Sequence, residues 1–358
     1  MSGTPPRWPA EWEPQSAIAI AWPHPGTDWA ARLDQVEPCF TALAVAICAR
    51  QELLLCVPDP ATRHRLELRL SAAGADLARI RFVELAYDDT WLRDSGPITL
   101  IDGDGFVLLD FVFTGWGGKF AAGQDDALVA HLHGSGLFPT ARHRRIDFAL
   151  EGGAIDGDGR GSVLTTWRCL GERHPDASRT EIEAVLTDSL SVRRVLWLEH
   201  GHLEGDDTDA HIDTLARFAG PDRIVYQACD DPSDSHYPEL AAMAAELAAL
   251  RDDQGRPFRL FPLPWPRPIL DDGRRLAASY ANFLIVNGAV LAPSYDDPAD
   301  VRAQAVLADA FPDREIVMIP CRPLIWQNGS LHCLTMQLPA GLLSAPPDHQ
   351  GQPPAPVQ

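Results

Sequence analysis

A β-hairpin, a helix and a further strand recur along this 358-residue chain with a period of roughly 55–70 residues, a range that suits supersecondary repeats. Asp94 precedes two β-like runs, 98–101 and 106–111, joined by Asp102-Gly103-Asp104-Gly105. Glu151 precedes runs at 154–155 and 162–166, joined by Asp156-Gly157-Asp158-Gly159. Runs at 211–219 and 223–228 flank Gly220-Pro221-Asp222, and runs at 280–286 and 289–292 flank the hairpin signal Asn287-Gly288. Apolar spacing predicts helices at 122–134, 179–190, 236–251 and 298–311, each followed by a short β-like run at 144–149, 193–198, 257–263 or 314–319. Ahead of them come strands at 16–22, 52–57 and 80–85, a helix over 61–73, and a helix over 28–51 that Pro38 should kink or split. The last strand, from Cys333, has no hairpin partner after it, and the first has none before it. Pairing the two closes a ring of five units and makes 1–343 a single domain, with a Pro-rich, disordered tail at 344–358. A doubly wound sheet fits the repeated hairpins poorly.

Charge narrows the function classes. A formal net charge of −20 argues against nucleic acid as a partner and favours small cations. No apolar run approaches the roughly 20 residues of a spanning helix, and no signal pattern stands at the front, so a cytoplasmic protein without membrane attachment is expected. The seven cysteines are scattered without a CxxC pair, which suggests neither a disulfide framework nor a zinc ribbon. Whether the chain forms a homo-oligomer is left open.

Polar residues out of place in an apolar pattern stand at the hairpin starts: Asp94, Glu151, His211 with Asp213, and Cys333. Glu151 follows Asp94 by 57 residues, His211 follows Glu151 by 60, and Cys333 follows His211 by 122, about two periods. In a closed ring, equivalent positions converge, and residues 211 and 213 share a face if their segment is a strand. Three carboxylates around a thiol raise its pKa and disfavour the thiolate, unless the substrate is itself a cation. A planar guanidinium suits paired carboxylates, and a thiolate can add to its central carbon while an imidazole moves protons. The other six cysteines read as small core residues. The Asp-Gly-Asp-Gly segments read as turns, because the calcium-loop ligand pattern is incomplete. His200 and His202 with nearby acids resemble part of a binuclear metal centre, but Glu204 and Gly205 stand where Asp and His are needed, and no metal is expected.

The chain resembles the agmatine deiminases of the guanidino-group-modifying superfamily. The similar stretches are Pro9–Gln15 with Ala21-Trp22-Pro23, Trp91–Pro97, Trp116-Gly117-Gly118, Glu151-Gly152-Gly153 leading to Asp158-Gly159, Leu164–Thr166, Asp207–Asp213, Leu276–Phe283 and His332-Cys333. This resemblance implies a five-bladed α/β propeller and cofactor-free hydrolysis of agmatine to N-carbamoylputrescine and ammonia. It implies Cys333 as nucleophile, His211 as general acid/base, and Asp94 and Asp213 as the guanidinium clamp. It implies Glu151 as the acid that binds substrate and supports proton transfer, and Trp91 as an aromatic neighbour of the guanidinium. The chain departs from the family's usual pattern at 327–330, at 167–175 and in a short 264–275 segment, all of which bear on the substrate's far end. The alternatives are the same chemistry on arginine, a peptidyl arginine or a substituted agmatine, and a non-catalytic binder of a small cation.

Overall fold

A computed structural model describes residues 5–344, so the tail expected at 344–358 lies outside the described residues apart from Ser344. The chain is α/β, and one arrangement is built five times. An antiparallel pair is followed by a helix and then by a third strand parallel to the second. The triplets are Ile98–Asp102, Gly105–Val112 and Ala141–Ala149; Ile155–Gly157, Ser162–Thr166 and Arg194–Leu198; Ala216–Gly220, Arg223–Gln227 and Arg259–Leu263; and Leu284–Val286, Ala289–Ser294 and Glu315–Pro320.

The fifth sheet joins the two ends of the chain. Its order is Thr335–Pro339, Gln15–Ala21, Glu52–Val57 and Ile80–Glu84. The pair between the last strand and the first is antiparallel, with Ile18 opposite Gln337 and Ile20 opposite Thr335. The terminal pairing expected from the unpartnered strands is therefore present. These five sheets and a two-stranded ribbon of Leu270–Asp271 with Arg274–Arg275 are separate hydrogen-bonded units, and no continuous closed sheet runs through the described residues.

Sequence explains the layering. Ala17–Ala21 and Leu53–Val57 are buried along their whole length, as unbroken apolar runs must be when both sheet faces are covered. Parallel second and third strands need a crossover, and helices such as Leu33–Cys48, Arg179–Leu190, Tyr237–Ala249 and Asp300–Ala310 supply it. The helix at Arg179–Leu190 starts in a complete capping box of Ser178 and Glu181. Pro38 does not split its helix, which runs from Leu33 to Cys48. Pro38 stands only in the second turn, where its missing N–H costs a single bond to the Asp34 carbonyl.

Two local expectations fail in the same way. Residues 211–219 do not form one strand: Ile212–Thr214 is a 3-10 turn and the strand begins at Ala216. Cys333 likewise sits inside the 3-10 turn His332–Leu334, with the strand beginning at Thr335. Asp94 lies in the short helix Leu92–Ser95, and Glu151 caps the turn Gly152–Ala154. Each functional candidate thus stands on a tight turn just before the first strand of a unit, where a side chain can point off the sheet end.

Candidate active site

Those turns bring Asp94, Glu151, His211, Asp213 and Cys333 into one buried cluster, each at most 5% exposed. Asp94 accepts hydrogen bonds from Trp116 Nε1 at 2.9 Å and from the Gly153 backbone at 2.9 Å, which fixes its carboxylate plane. A side chain at Gly153 would put its Cβ 2.6 Å from His211 Nδ1 and 2.7 Å from Asp94 Oδ1, so only glycine lets these groups approach. His211 Nδ1 stands 3.6 Å from Asp94 Oδ1, and His211 Nε2 stands 3.7 Å from Glu151 Oε2. Neither imidazole nitrogen has a hydrogen-bond partner among the described residues, and neither do Glu151 Oε2 and Asp213 Oδ1. Unmade bonds at buried polar atoms are expensive, so they mark where a ligand's donors and acceptors belong.

The charges are tuned against one another. Burial, reinforced by Asp213 and Glu151, pushes the Asp94 carboxyl up to about 6. Burial opposes a charged His211, yet the facing Asp94, with Cys169 and Glu151, outweighs it and raises the imidazole well above its ordinary value. Burial also works against ionised Glu151 and Asp213, but His211 and Arg173 bring Glu151 down and His332 brings Asp213 down. The Cys333 thiol moves the other way: burial first, then Asp213 and Asp94, raise it well above its ordinary value.

Residues without an assigned role complete the site. Glu151 Oε1 accepts Arg173 Nε at 2.7 Å, and Arg173 also binds Asp209 at 2.6 Å. Asp213 Oδ2 accepts His332 Nδ1 at 2.8 Å, and His332 Nε2 bonds Glu11 Oε2 at 2.9 Å. Glu11 further accepts Arg217 Nη2 and the Ile285 backbone, both at 2.7 Å. The irregular lead-in segment thus carries the carboxylate that backs the site, a role its sequence does not announce. Cys169, read as a core residue, is fully buried within a hydrophobic cluster, as expected. With Glu151 and His211 it forms the group of possible ligand atoms that lie within 4.8 Å of one another among the described residues. His200 and His202 are not part of that group. His200 pairs with Glu246 instead.

Trp91 is buried against Trp29, and its ring lies so close to Gly329 that any Cβ at 329 would collide with it. Asn328 takes the left-handed conformation that asparagine tolerates, and donates to Asp207 at 2.7 Å. This close turn is how the 327–330 segment manages with fewer glycines. Trp91, Asp94, Trp116 and Cys333 open into a cavity of about 570 Å³. Its wall also holds Asp28, Asp88, Asp89, Asp125 and Asp207, against two cations, Lys119 and Arg274. Both cations are already engaged: Lys119 by the Asp207 carbonyl and Asp209, Arg274 by Asn328 and the Trp326 carbonyl.

Fold and site together define an α/β protein with a buried thiol, an imidazole and carboxylates converging on an acidic cavity. The chain belongs to the Porphyromonas-type peptidyl-arginine deiminase family, whose sequence profile matches residues 7–339. It is 38% identical over 359 residues to an agmatine deiminase of Pseudomonas putida, covering 93% of this chain and 95% of that one. A Campylobacter jejuni agmatine deiminase solved with substrate bound superposes with a TM-score of 0.87 at 33% identity, over 94% of this chain and 97% of that one. A Porphyromonas gingivalis structure described as a candidate arginine deiminase gives a TM-score of 0.87 at 46% identity, over 95% and 100% of the two chains.

Proposed function

We propose that this chain is a hydrolase acting on the C–N bond of a linear amidine, converting agmatine and water to N-carbamoylputrescine and ammonia. The observation that carries the reading is the position of Cys333 Sγ, at the base of an acidic cavity and 3.6 Å from Asp213 Oδ2. Asp94 and Asp213 grip the guanidinium nitrogens, and the unpartnered Asp213 Oδ1 and Glu151 Oε2 are free to receive them. The cation offsets the carboxylates, so Cys333 releases its proton to solvent in the cavity as substrate arrives. The thiolate then adds to the central carbon, helped by the electrostatics of the clamp. His211, protonated at rest, donates a proton to the departing nitrogen, and ammonia leaves an S-alkylthiouronium. The now neutral His211, steadied by Glu151, takes a proton from water as it attacks the same carbon. Collapse expels the Cys333 sulfur, which takes the hydroxyl proton as the carbonyl forms, and releases the ureido product. Trp91 flanks the guanidinium plane.

The cavity's balance of carboxylates over free cations favours a dicationic substrate over arginine, whose carboxylate would have to be accommodated beside them. The same proposal takes the five units as blades of one five-bladed α/β propeller in a single domain over 1–343, supported by the terminal strand pairing. A cytoplasmic setting suits the seven cysteines, all of them free. No helix among the described residues is long and apolar enough to cross a membrane.

Ammonia release from EDTA-treated protein tests the reading, with agmatine, arginine and an arginine-containing peptide offered separately. Turnover of agmatine alone is expected. Turnover of arginine in its place would keep the chemistry and overturn the substrate, and silence on all three would favour a cation-binding protein.

A further inference from the structure

The repeat itself points to a further residue. Four units each deliver a polar group on the turn before their first strand, and the interval between His211 and Cys333 skips one unit. That skipped unit, which begins with Leu284–Val286, carries Asn282 at the corresponding place. Asn282 is fully buried, and its amide reaches the sulfur.

The orientation of that amide follows from its neighbours. Asn282 Oδ1 accepts the backbone N–H of His332 at 2.9 Å and of Cys333 at 3.3 Å, so the oxygen must occupy that side. The nitrogen is then fixed on the other, where Nδ2 lies 3.2 Å from Cys333 Sγ and 3.3 Å from the Asp213 carbonyl, while the resting thiol, 3.4 Å from Oδ1, donates to the oxygen. We infer that Asn282 is a catalytic residue of the proposed reaction, its Nδ2–H donating to Cys333 Sγ and stabilising the thiolate against the carboxylates that surround it. This rests on the reading of Cys333 as nucleophile.

The need for such a donor is electrostatic. Around the sulfur, Asp213 and Asp94 both oppose a negative charge, while Asn282 and the Ser330 backbone favour it. The nearby Tyr295 hydroxyl is taken up by the Ser279 carbonyl and Ser330, and His332 is turned away toward Asp213 and Glu11. Asn282 is thus the side chain that gives the sulfur a neutral donor. Its second task, holding the two backbone N–H groups, fixes where the sulfur stands.

Asn282→Asp separates the two tasks. An aspartate keeps an oxygen for the His332 and Cys333 amides but turns a second oxygen, not a donor, toward Sγ. Two readouts are compared with wild type: kcat and KM for agmatine, and the pH dependence of Cys333 alkylation by iodoacetamide, followed by the mass of its peptide. The expected result is a fall in kcat of about 100-fold with KM changed by less than about threefold, as for loss of one preorganised donor. Alkylation at fixed pH slows about tenfold or more, one unit's shift in the thiol. An unchanged alkylation profile in a folded variant would overturn the inference, whether or not kcat falls, because it leaves Asn282 a purely structural role. If the aspartate variant does not fold, Asn282→Ser is read by the same criteria. Alkylation needs no substrate, so wild-type protein that ignores agmatine would sink the proposed reaction without touching this result.

Discussion

Two walls meet at the centre of this protein, and they treat charge in opposite ways. The wall behind the site is densely paired: Glu11 receives Arg217, His332 and the Ile285 amide, and Arg217 also donates to the Phe283 carbonyl and faces Asp156, although Arg217 Nε has no hydrogen-bond partner among the described residues. Opposing charges there bring Glu11 far below the usual carboxylate range despite its burial. The wall of candidate residues, of which Asp94 and Cys333 line the cavity, is unfinished. Among the described residues His211 has two buried nitrogens without partners, Asp213 and Glu151 each keep an oxygen unbonded, and Asp94 is pushed up to about 6. A buried pair is costly to break because removing one partner strands the other, whereas buried polar atoms left unbonded are open to a ligand. The difference separates what positions the chemistry from what performs it.

Substitutions on the two walls are expected to fail differently. Cys333→Ala should lower agmatine turnover by about 10⁴-fold or more, as loss of a nucleophile does, while shifting the thermal midpoint by no more than about 2 °C. Ammonia release and a melting curve on the same preparation check both halves. Turnover near the wild-type level would remove the cavity-facing wall from the chemistry. Glu11→Gln should do the reverse. It leaves Arg217 without its counter-charge and His332 Nε2 without its carboxylate partner, and breaking a buried pair costs about 3 kcal/mol. Denaturant unfolding should register that loss, with the folded fraction keeping kcat within about tenfold of wild type. A Glu11→Gln protein as stable as wild type but inactive would erase the distinction between the walls.

The sequence reveals the two walls unequally. Asp94, Glu151, His211 and Cys333 are legible because charged or nucleophilic residues interrupt apolar β-runs at intervals set by the repeat. Asn282 falls at the same place in its unit, but a neutral amide before Phe283 carries no mark of chemistry, and only the repeat's phase singles it out. Glu11 and Arg217 are harder still: they meet across 206 residues, and neither residue's local pattern shows that its partner exists. Helices such as Arg179–Leu190 and strands such as Glu52–Val57 stand where their apolar spacing puts them. The turns at Ile212–Thr214 and His332–Leu334 were masked, because β-branched and apolar neighbours extend the strand pattern backward into a 3-10 turn that tertiary packing imposes.

Acid should act on the two walls with opposite signs. Asp94 must be ionised to hold a cation, so kcat/KM falls as the pH drops through about 6, approaching tenfold per unit below it. For stability the same raised value has the reverse effect. Between the ordinary value of 3.8 and about 6 the native state holds a proton that the unfolded chain has lost, so the contribution of Asp94 weakens as the pH rises. Glu11 runs the other way: its depressed value contributes stability above the usual carboxylate range, lost only as acid titrates it. A profile of kcat/KM from about pH 5 to about pH 8, set beside melting curves carried down to about pH 2, separates the two. Asp94→Asn should abolish the acid limb along with most of the activity, and leave the acid unfolding governed by Glu11 in place. An acid limb that survives in Asp94→Asn would transfer the titration to another group and detach Asp94 from the grip on the substrate.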